Sequence, residues 1–401
     1  MRKLVRHITL FFCILLTLTS CDWGCRRPDE PTTPQTLIVY LVGTNLNWAF
    51  NKNVQDIESA LQKNIKGDSR VIVVWQNTSA DAAEAIELVY NDGIIERQLL
   101  TEYPLSNIMT GDELGYILSD VMRQAPAKSY GMIVGAHSWA WVPIDALDEV
   151  KNNGMSRAEL RMIPQIELPR HLQTRFIGDP SGKYNRFEIS TIAEAIAYTE
   201  ETFEYILFDA CFMANVEAVF ELRNSAKYII GSACEIMGNG FPYTQTIPHL
   251  LQDGGRSYDL EHATESYHTH YKNTLGYSGT VSLINCSQLD ALAAVMKEVN
   301  KSLRADFDRN AIQTYEGGTN HIFFDLGDYV SKVCTNPKAT SALLAQLQKS
   351  VPTKYTLDTF WSTYIHADHY PVTSFSGLST SAPSVLLRSS YPQTAWYKAT
   401  H

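Results

Sequence analysis

The chain has 401 residues, 45% of them hydrophobic and 11% aromatic, with a formal charge of -10. That length exceeds what one compact core ordinarily needs, so a large domain with an accessory part is expected. The acidic balance argues against nucleic acid as a partner and suits basic substrates.

Arg2, Lys3 and Arg6 precede an apolar run from Ile8 to Leu18 that is too short to span a bilayer. Residues 1–20 therefore read as an export signal. Its end, Leu18-Thr19-Ser20-Cys21, resembles the bacterial lipobox, which implies that Cys21 becomes the lipid-bearing N-terminus of an envelope protein on either membrane face. Residues 21–35, with Pro28, Pro31 and Pro34, read as a tether.

Beyond the tether, apolar strands alternate with helical patterns. Thr36 to Gly43 predicts a buried strand, Asn51 to Ile65 a helix striped by Val54, Ile57 and Leu61, and Val71 to Trp75 a second strand. Ala83 to Val89 and Gly93 to Leu100 predict a hairpin turning at Asn91-Asp92-Gly93. Thr110 to Gln124 predicts a helix, with Thr110 as N-cap and Glu113 completing a capping box. Gly131 to Val134 is a third strand, followed by Gly135-Ala136-His137-Ser138-Trp139. Residues 143–187 read as a long insertion. Ile189 to Tyr198 predicts a helix and Tyr205 to Phe208 a strand. From Phe212 the period turns helical through Met213, Val216, Val219, Phe220 and Leu222. Lys227 to Ser232 is a further strand, Leu289 to Leu303 and Ala339 to Val351 are helices, and Ser374 to Leu387 is expected to return as an edge strand. Such alternation argues for an α/β chain built from βαβ units around a largely parallel sheet.

Cys211 is thus expected where a buried strand meets a helix, on the sheet edge that binds ligands in open α/β folds. A helix N-terminus there would favour the thiolate. Asp209, two residues back on the same strand face, opposes it unless a positive charge intervenes, and a cationic substrate side chain would supply one. The other reading of Cys211 is a buried structural cysteine. His137 also follows a strand, and an imidazole beside a thiol can take its proton or hold it as an ion pair; a structural histidine is the alternative. Cys25, Cys211, Cys234, Cys286 and Cys334 are an odd, widely spaced set and make no disulfide framework. His262, His268 and His270 lack the spacing of a zinc-hydrolase helix and read as a solvated face.

The strand ending in Ala136-His137, and the strand ending 74 positions later in Asp209-Ala210-Cys211, resemble the clostripain family of cysteine peptidases in the caspase-like clan. The likeness runs through Tyr205 to Asn224, Ala226 to Ser232 and Glu235 to Tyr243, with weaker echoes at Phe324 to Tyr329 and Ser376 to Ser379. It implies a caspase-like three-layer α/β/α sandwich with a mostly parallel central sheet over residues 36–287. Residues 288–401 would form a helical C-terminal accessory region that returns a strand to the main sheet. It further implies an endopeptidase acting on proteins or peptides. Cys211 would be the nucleophile, His137 the general base and acid, the backbone N–H groups of Ser138 and Cys211 the oxyanion donors, and Asp209 the acidic floor that receives Arg or Lys.

Two departures from the family pattern stand out. Ser138-Trp139 follows the histidine where the family has Gly, and Ala233, Cys234 and Asn239 stand where acids are frequent. A second acid is therefore expected to be missing, with Asn239 as a neutral substrate contact and Trp139 and Trp141 narrowing the entrance. The family's calcium is assigned to no residue, and no other cofactor is expected. Self-cleavage, seen in the family, would fall among Lys151, Arg157, Arg161, Arg170 and Arg175. The competing reading is a catalytically inactive lipoprotein that uses the same scaffold as a binding module.

Overall fold

The structure, a computed structural model, describes residues 31–43, 46–64, 68–77, 82–106, 109–144, 187–274, 279–317, 321–362 and 368–401. The export signal, Cys21, Cys25 and the basic residues from Lys151 to Arg175 lie outside them. Thr33–His401 form one unit. Among the described residues no helix is long and apolar enough to cross a membrane.

The strands are β1 (Thr36–Leu41), β2 (Arg70–Trp75), β3 (Ala82–Asn91), β4 (Ile94–Pro104), β5 (Tyr130–Gly135), β6 (Phe203–Asp209), β7 (Ala226–Gly231), β8 (Thr280–Asn285), β9 (Phe324–Asp325) and β10 (Thr353–Thr356). After these come β11 (Thr359–Ser362), β12 (Asp368–Pro371) and β13 (Ser379–Thr380). One nine-stranded sheet runs β10-β8-β7-β6-β5-β1-β2-β3-β4. Its central strands β2, β1, β5, β6 and β7 are parallel. The flanking pairs are antiparallel.

The parallel strands are apolar from end to end because both of their faces are covered; every residue of β1 and β5 is buried. Successive side chains leave on opposite faces. Ile38, Tyr40, Ile72, Val74, Met132, Val134, Ile206 and Phe208 enter one core. Leu37, Val39, Leu41, Val71, Val73, Ile133, Tyr205 and Leu207 enter the other.

The helices are α1 (Asn47–Asn64), α2 (Gly111–Gln124), α3 (Ile189–Tyr198), α4 (Val216–Glu221), α5 (Tyr243–Leu250), α6 (Leu260–Asn273), α7 (Leu289–Asn300), α8 (Leu326–Val333), α9 (Pro337–Ser350) and α10 (Ala395–Thr400). Helices α1, α5 and α6 close the second core through residues such as Val54, Ile57, Ile247 and Tyr267. The remaining helices supply Leu118, Ile192, Val219, Leu292, Val330, Leu343 and Trp396 to the first. The α/β/α sandwich follows directly from the alternation.

Local signals hold where the chemistry is local. Asp92 and Gly93 both take positive φ, 45° and 92°, which is the turn a tight hairpin requires. Thr110 and Glu113 form the reciprocal capping box on α2. The helix expected from Phe212 begins only at Val216, capped by the Asn215 side chain on the Ala218 N–H. The cause is tertiary. The Phe212 and Ala214 amides donate to the Cys234 and Ser232 carbonyls, so this stretch keeps following the β7 chain instead of coiling, and Phe212 sits at φ 62°.

The strand that joins the main sheet from the C-terminal region is β10, antiparallel to β8. Within the expected Ser374–Leu387 strand only Ser379–Thr380 is extended, and it pairs with β9 in a separate small sheet. Thr380 and the following Ser381 donate to the buried Glu217 carboxylate of α4. Thr110→Ala removes one partner of the capping box and is expected to cost about 1 kcal/mol of stability. An unchanged urea midpoint would contradict the cap.

Candidate active site

The parallel pairing of β5 with β6 sets Gly135 opposite Asp209, and the Ala136 N–H donates to the Asp209 carbonyl at 3.2 Å. His137 and Cys211 therefore each lie two residues beyond a matched pair, at the carboxyl ends of adjacent strands. In this sheet β1 has β2 on one side and β5 on the other. Chain connections diverge at such a switch point and leave a crevice there. A cavity of about 340 Å³ opens at this place, lined by His137, Asp209, Cys211, Glu235, Ile236, Gly238 and Gly240, with Trp48, Phe50 and Asn53 from α1.

Two clamps behind the cavity fix the loops that carry His137 and Cys211. The buried Ser138 hydroxyl donates to Met213 Sδ at 3.0 Å and accepts from the Ala140 N–H at 2.9 Å. Trp139 packs on Phe212 with ring centroids 5.4 Å apart, and Phe212 stacks on Phe323 at 4.5 Å. Trp141 donates to Ser381 at 2.8 Å. Both tryptophans are buried and neither lines the cavity, which corrects the expectation that they narrow its entrance. The tryptophan at the opening is Trp48, 62% exposed.

Asp209 is buried, and its Oδ2 accepts from Tyr243 OH at 2.7 Å and from the Phe241 N–H at 3.3 Å. Burial outweighs these bonds and pushes the carboxyl up to about 6. A rise of that size favours the neutral acid by about 3 kcal/mol. The half-buried Cys211 Sγ accepts from the Ile236 N–H at 3.3 Å. Burial first, then the nearby Glu235 charge, push this thiol well above its ordinary value, and the Ile236 N–H acts in the other direction. The idea that a helix N-terminus acidifies the thiol is overturned, because α4 starts five residues further on.

Asn239 lies exposed in a turn, its carbonyl accepting from Asn53 Nδ2 at 2.9 Å. It is flanked by the cavity residues Gly238 and Gly240 but does not itself line the cavity. Positions 233, 234 and 239, where the family resemblance expects acids, carry none. Glu235, one residue past Cys234, lines the same cavity as Asp209. Sequence reasoning missed Glu235, Tyr243, Trp48 and Asn53. The first loop after β1 always opens on the binding edge of such a sheet, and that rule could have found the last two.

The histidines of α6 are accounted for by neighbours: His262 pairs with Asp259, while His268 and His270 rest on Tyr355 and Tyr271. Among the described residues no group of three His, Cys, Asp or Glu side chains could hold a metal ion. Cys211, Cys234, Cys286 and Cys334 are free thiols.

Comparison with known proteins bears on this site. A model of the clostripain family matches residues 167–380. None of the curated proteins matches. The secreted C11 cysteine protease iotapain of Bacteroides thetaiotaomicron is 32% identical over 93% of this chain and 100% of its own, with a TM-score of 0.81. Another secreted C11 cysteine protease of that organism, solved with an irreversible peptide inhibitor, is 24% identical over 92% of this chain and 98% of its own, TM-score 0.74. An inactive zymogen C11 protease from Parabacteroides distasonis is 24% identical over 93% of this chain and 99% of its own, TM-score 0.75. The last two bear on the fold alone.

Gly240 has φ 70°, and a Cβ there would overlap the Asp209 carboxylate. Gly240→Ala is expected to destabilise the fold by roughly 1–3 kcal/mol, because a left-handed residue then carries a side chain. A thermal midpoint equal to the wild type's would contradict the close packing of this turn on Asp209.

Proposed function

The chain belongs to the clostripain family of cysteine proteases, and on that premise we propose that it is a cell-envelope endopeptidase working through Cys211 and His137 and cutting after basic residues. The observation that carries this reading is the matched β5–β6 register, which brings both side chains to one cavity beside a buried carboxylate.

In this reading Cys211 Sγ attacks the carbonyl carbon of the scissile peptide. The carbonyl becomes an oxyanion that accepts from the backbone N–H groups of Ser138 and Cys211. The Ser138 side chain is engaged with Met213 in the core, so only its backbone remains for that task. His137 takes the thiol proton and delivers it to the leaving amine; water then hydrolyses the thioester with His137 again as base. Asp209, oriented by Tyr243 and the Phe241 N–H, receives the positive end of the substrate side chain. Asn239 offers a neutral contact beside the opening, held there by Asn53.

A lysine- or arginine-derived acyloxymethyl ketone is expected to label Cys211 stoichiometrically. The label should be absent in Cys211→Ala and slowed at least a hundredfold in His137→Ala. An unlabelled wild type with an intact fold would instead favour the inactive binding module.

Export and lipid attachment at Cys21 complete the proposal. The basic start, the short apolar run and the lipobox support them, and the similar iotapain is described as secreted. Cys21→Ser is expected to shift the protein from the membrane to the soluble fraction of cells. A wild type already soluble would refute the anchor.

A further inference from the structure

We propose that the cavity between α7, α8, α10 and residues 381–392 binds a small carboxylate with an aromatic body, and that its occupancy steadies the loop carrying His137. The site lies apart from the catalytic cavity and shares no lining residue with it. It goes beyond the peptidase reading above and does not depend on it.

The lining sets the chemistry of the occupant. The cavity holds about 270 Å³, close to the lower end of ordinary small-molecule sites. Tyr329 of α8, Tyr391, and Trp396 and Tyr397 of α10 give it aromatic walls, to which Met296 of α7 adds an apolar surface. A flat apolar body fits such walls. In a chain with a net charge of -10, none of the lining residues is Asp or Glu. The exposed Arg388 supplies a permanent positive charge and a fork of donors that matches a carboxylate. The buried acid behind Ser381 is Glu217, whose oxygens are already engaged by Asn215 at 2.6 Å, Thr380 at 2.7 Å and the Ser381 N–H at 3.0 Å.

The walls of this cavity also touch the chains that carry His137 and Cys211. Ser381 lines the cavity, and its hydroxyl accepts from the indole N–H of Trp141, four residues past His137, at 2.8 Å. Tyr391 packs edge-on against the same indole, ring centroids 5.7 Å apart. Trp396 meets Phe220 of α4, the helix that follows Cys211, at 5.4 Å. Without an occupant, Tyr391 and Trp396 lack partner atoms on the side that faces the cavity. A bound aromatic ring supplies them and narrows the positions open to Trp141. The ligand therefore binds the ordered arrangement of this wall better than a loosened one, which is the difference in affinity that such coupling requires.

The test is titration calorimetry of the full-length protein with hydrocinnamate, its neutral amide and phenylpropylamine, paired with hydrogen exchange of residues 136–142. Hydrocinnamate is expected to bind with a Kd of roughly 0.1–1 mM, the range open to so small a ligand. The amide should bind about tenfold more weakly, and the amine not measurably. Arg388→Gln changes an exposed side chain and leaves the core intact; it should bring hydrocinnamate down to the affinity of the amide. Saturating hydrocinnamate is expected to slow exchange of residues 136–142 about fivefold in the wild type. Ser381→Ala keeps the cavity and removes the acceptor for Trp141, so it should still bind and lose most of that protection. No binding by the wild type, equal binding of all three compounds, or an Arg388→Gln protein that binds as the wild type does would overturn the site. Binding that leaves the exchange of residues 136–142 unchanged would overturn its effect on the His137 loop. A wild type that binds and gains protection, yet is never labelled by the acyloxymethyl ketone, would count against the peptidase reading and leave this inference standing.

Discussion

The pairing of Gly135 with Asp209 is the contact on which the rest of the molecule's chemistry depends. It is a backbone constraint, secured by the run of parallel bonds from Gly131–Tyr205 upward and extended by the bond from Ala136 to the Asp209 carbonyl. A slip of one residue would turn every β6 side chain to the opposite core, which neither packed face would tolerate. Past the strands the register is held by side chains instead: Ser138 on Met213, and Trp139 on Phe212 and Phe323. The residue after the histidine and the residue after the cysteine are thus parts of one buried joint.

The electrostatics of the cavity run against the ordinary needs of a thiol nucleophile. Asp209 on the strand and Glu235 after β7 both disfavour a thiolate, and the Ile236 N–H opposes them. Such a site makes physical sense when the missing charge arrives with the ligand. Under the proposed preference for basic residues, the acid that suppresses ionisation also attracts the substrate side chain, and the net charge of -10 favours the approach of basic partners.

Much of this was readable in the residues, and the reasons differ from place to place. Strand edges around Cys211 and His137 were legible because fully buried parallel strands are continuous apolar runs, and the capping box on Thr110 because caps are local. The helix after Cys211 was misplaced because its apolar spacing is real, while the Phe212 and Ala214 amides are claimed by the β7 chain, a competition invisible along one segment. Trp139 and Trp141 were assigned to the opening from their position in sequence; the fold turns them into the core. Glu235 is not legible as a cavity residue because the family resemblance points to positions 233, 234 and 239, and only the fold brings the residue after Cys234 to the cavity.

The most direct test of the account is a crystal structure of the adduct between this protein and a lysine-derived acyloxymethyl ketone. The account predicts a covalent bond from Cys211 Sγ, the His137 ring in contact with the adduct, and the ammonium seated against Asp209. A bond to another cysteine, a His137 ring remote from the sulfur, or an ammonium pointing out to solvent would contradict it.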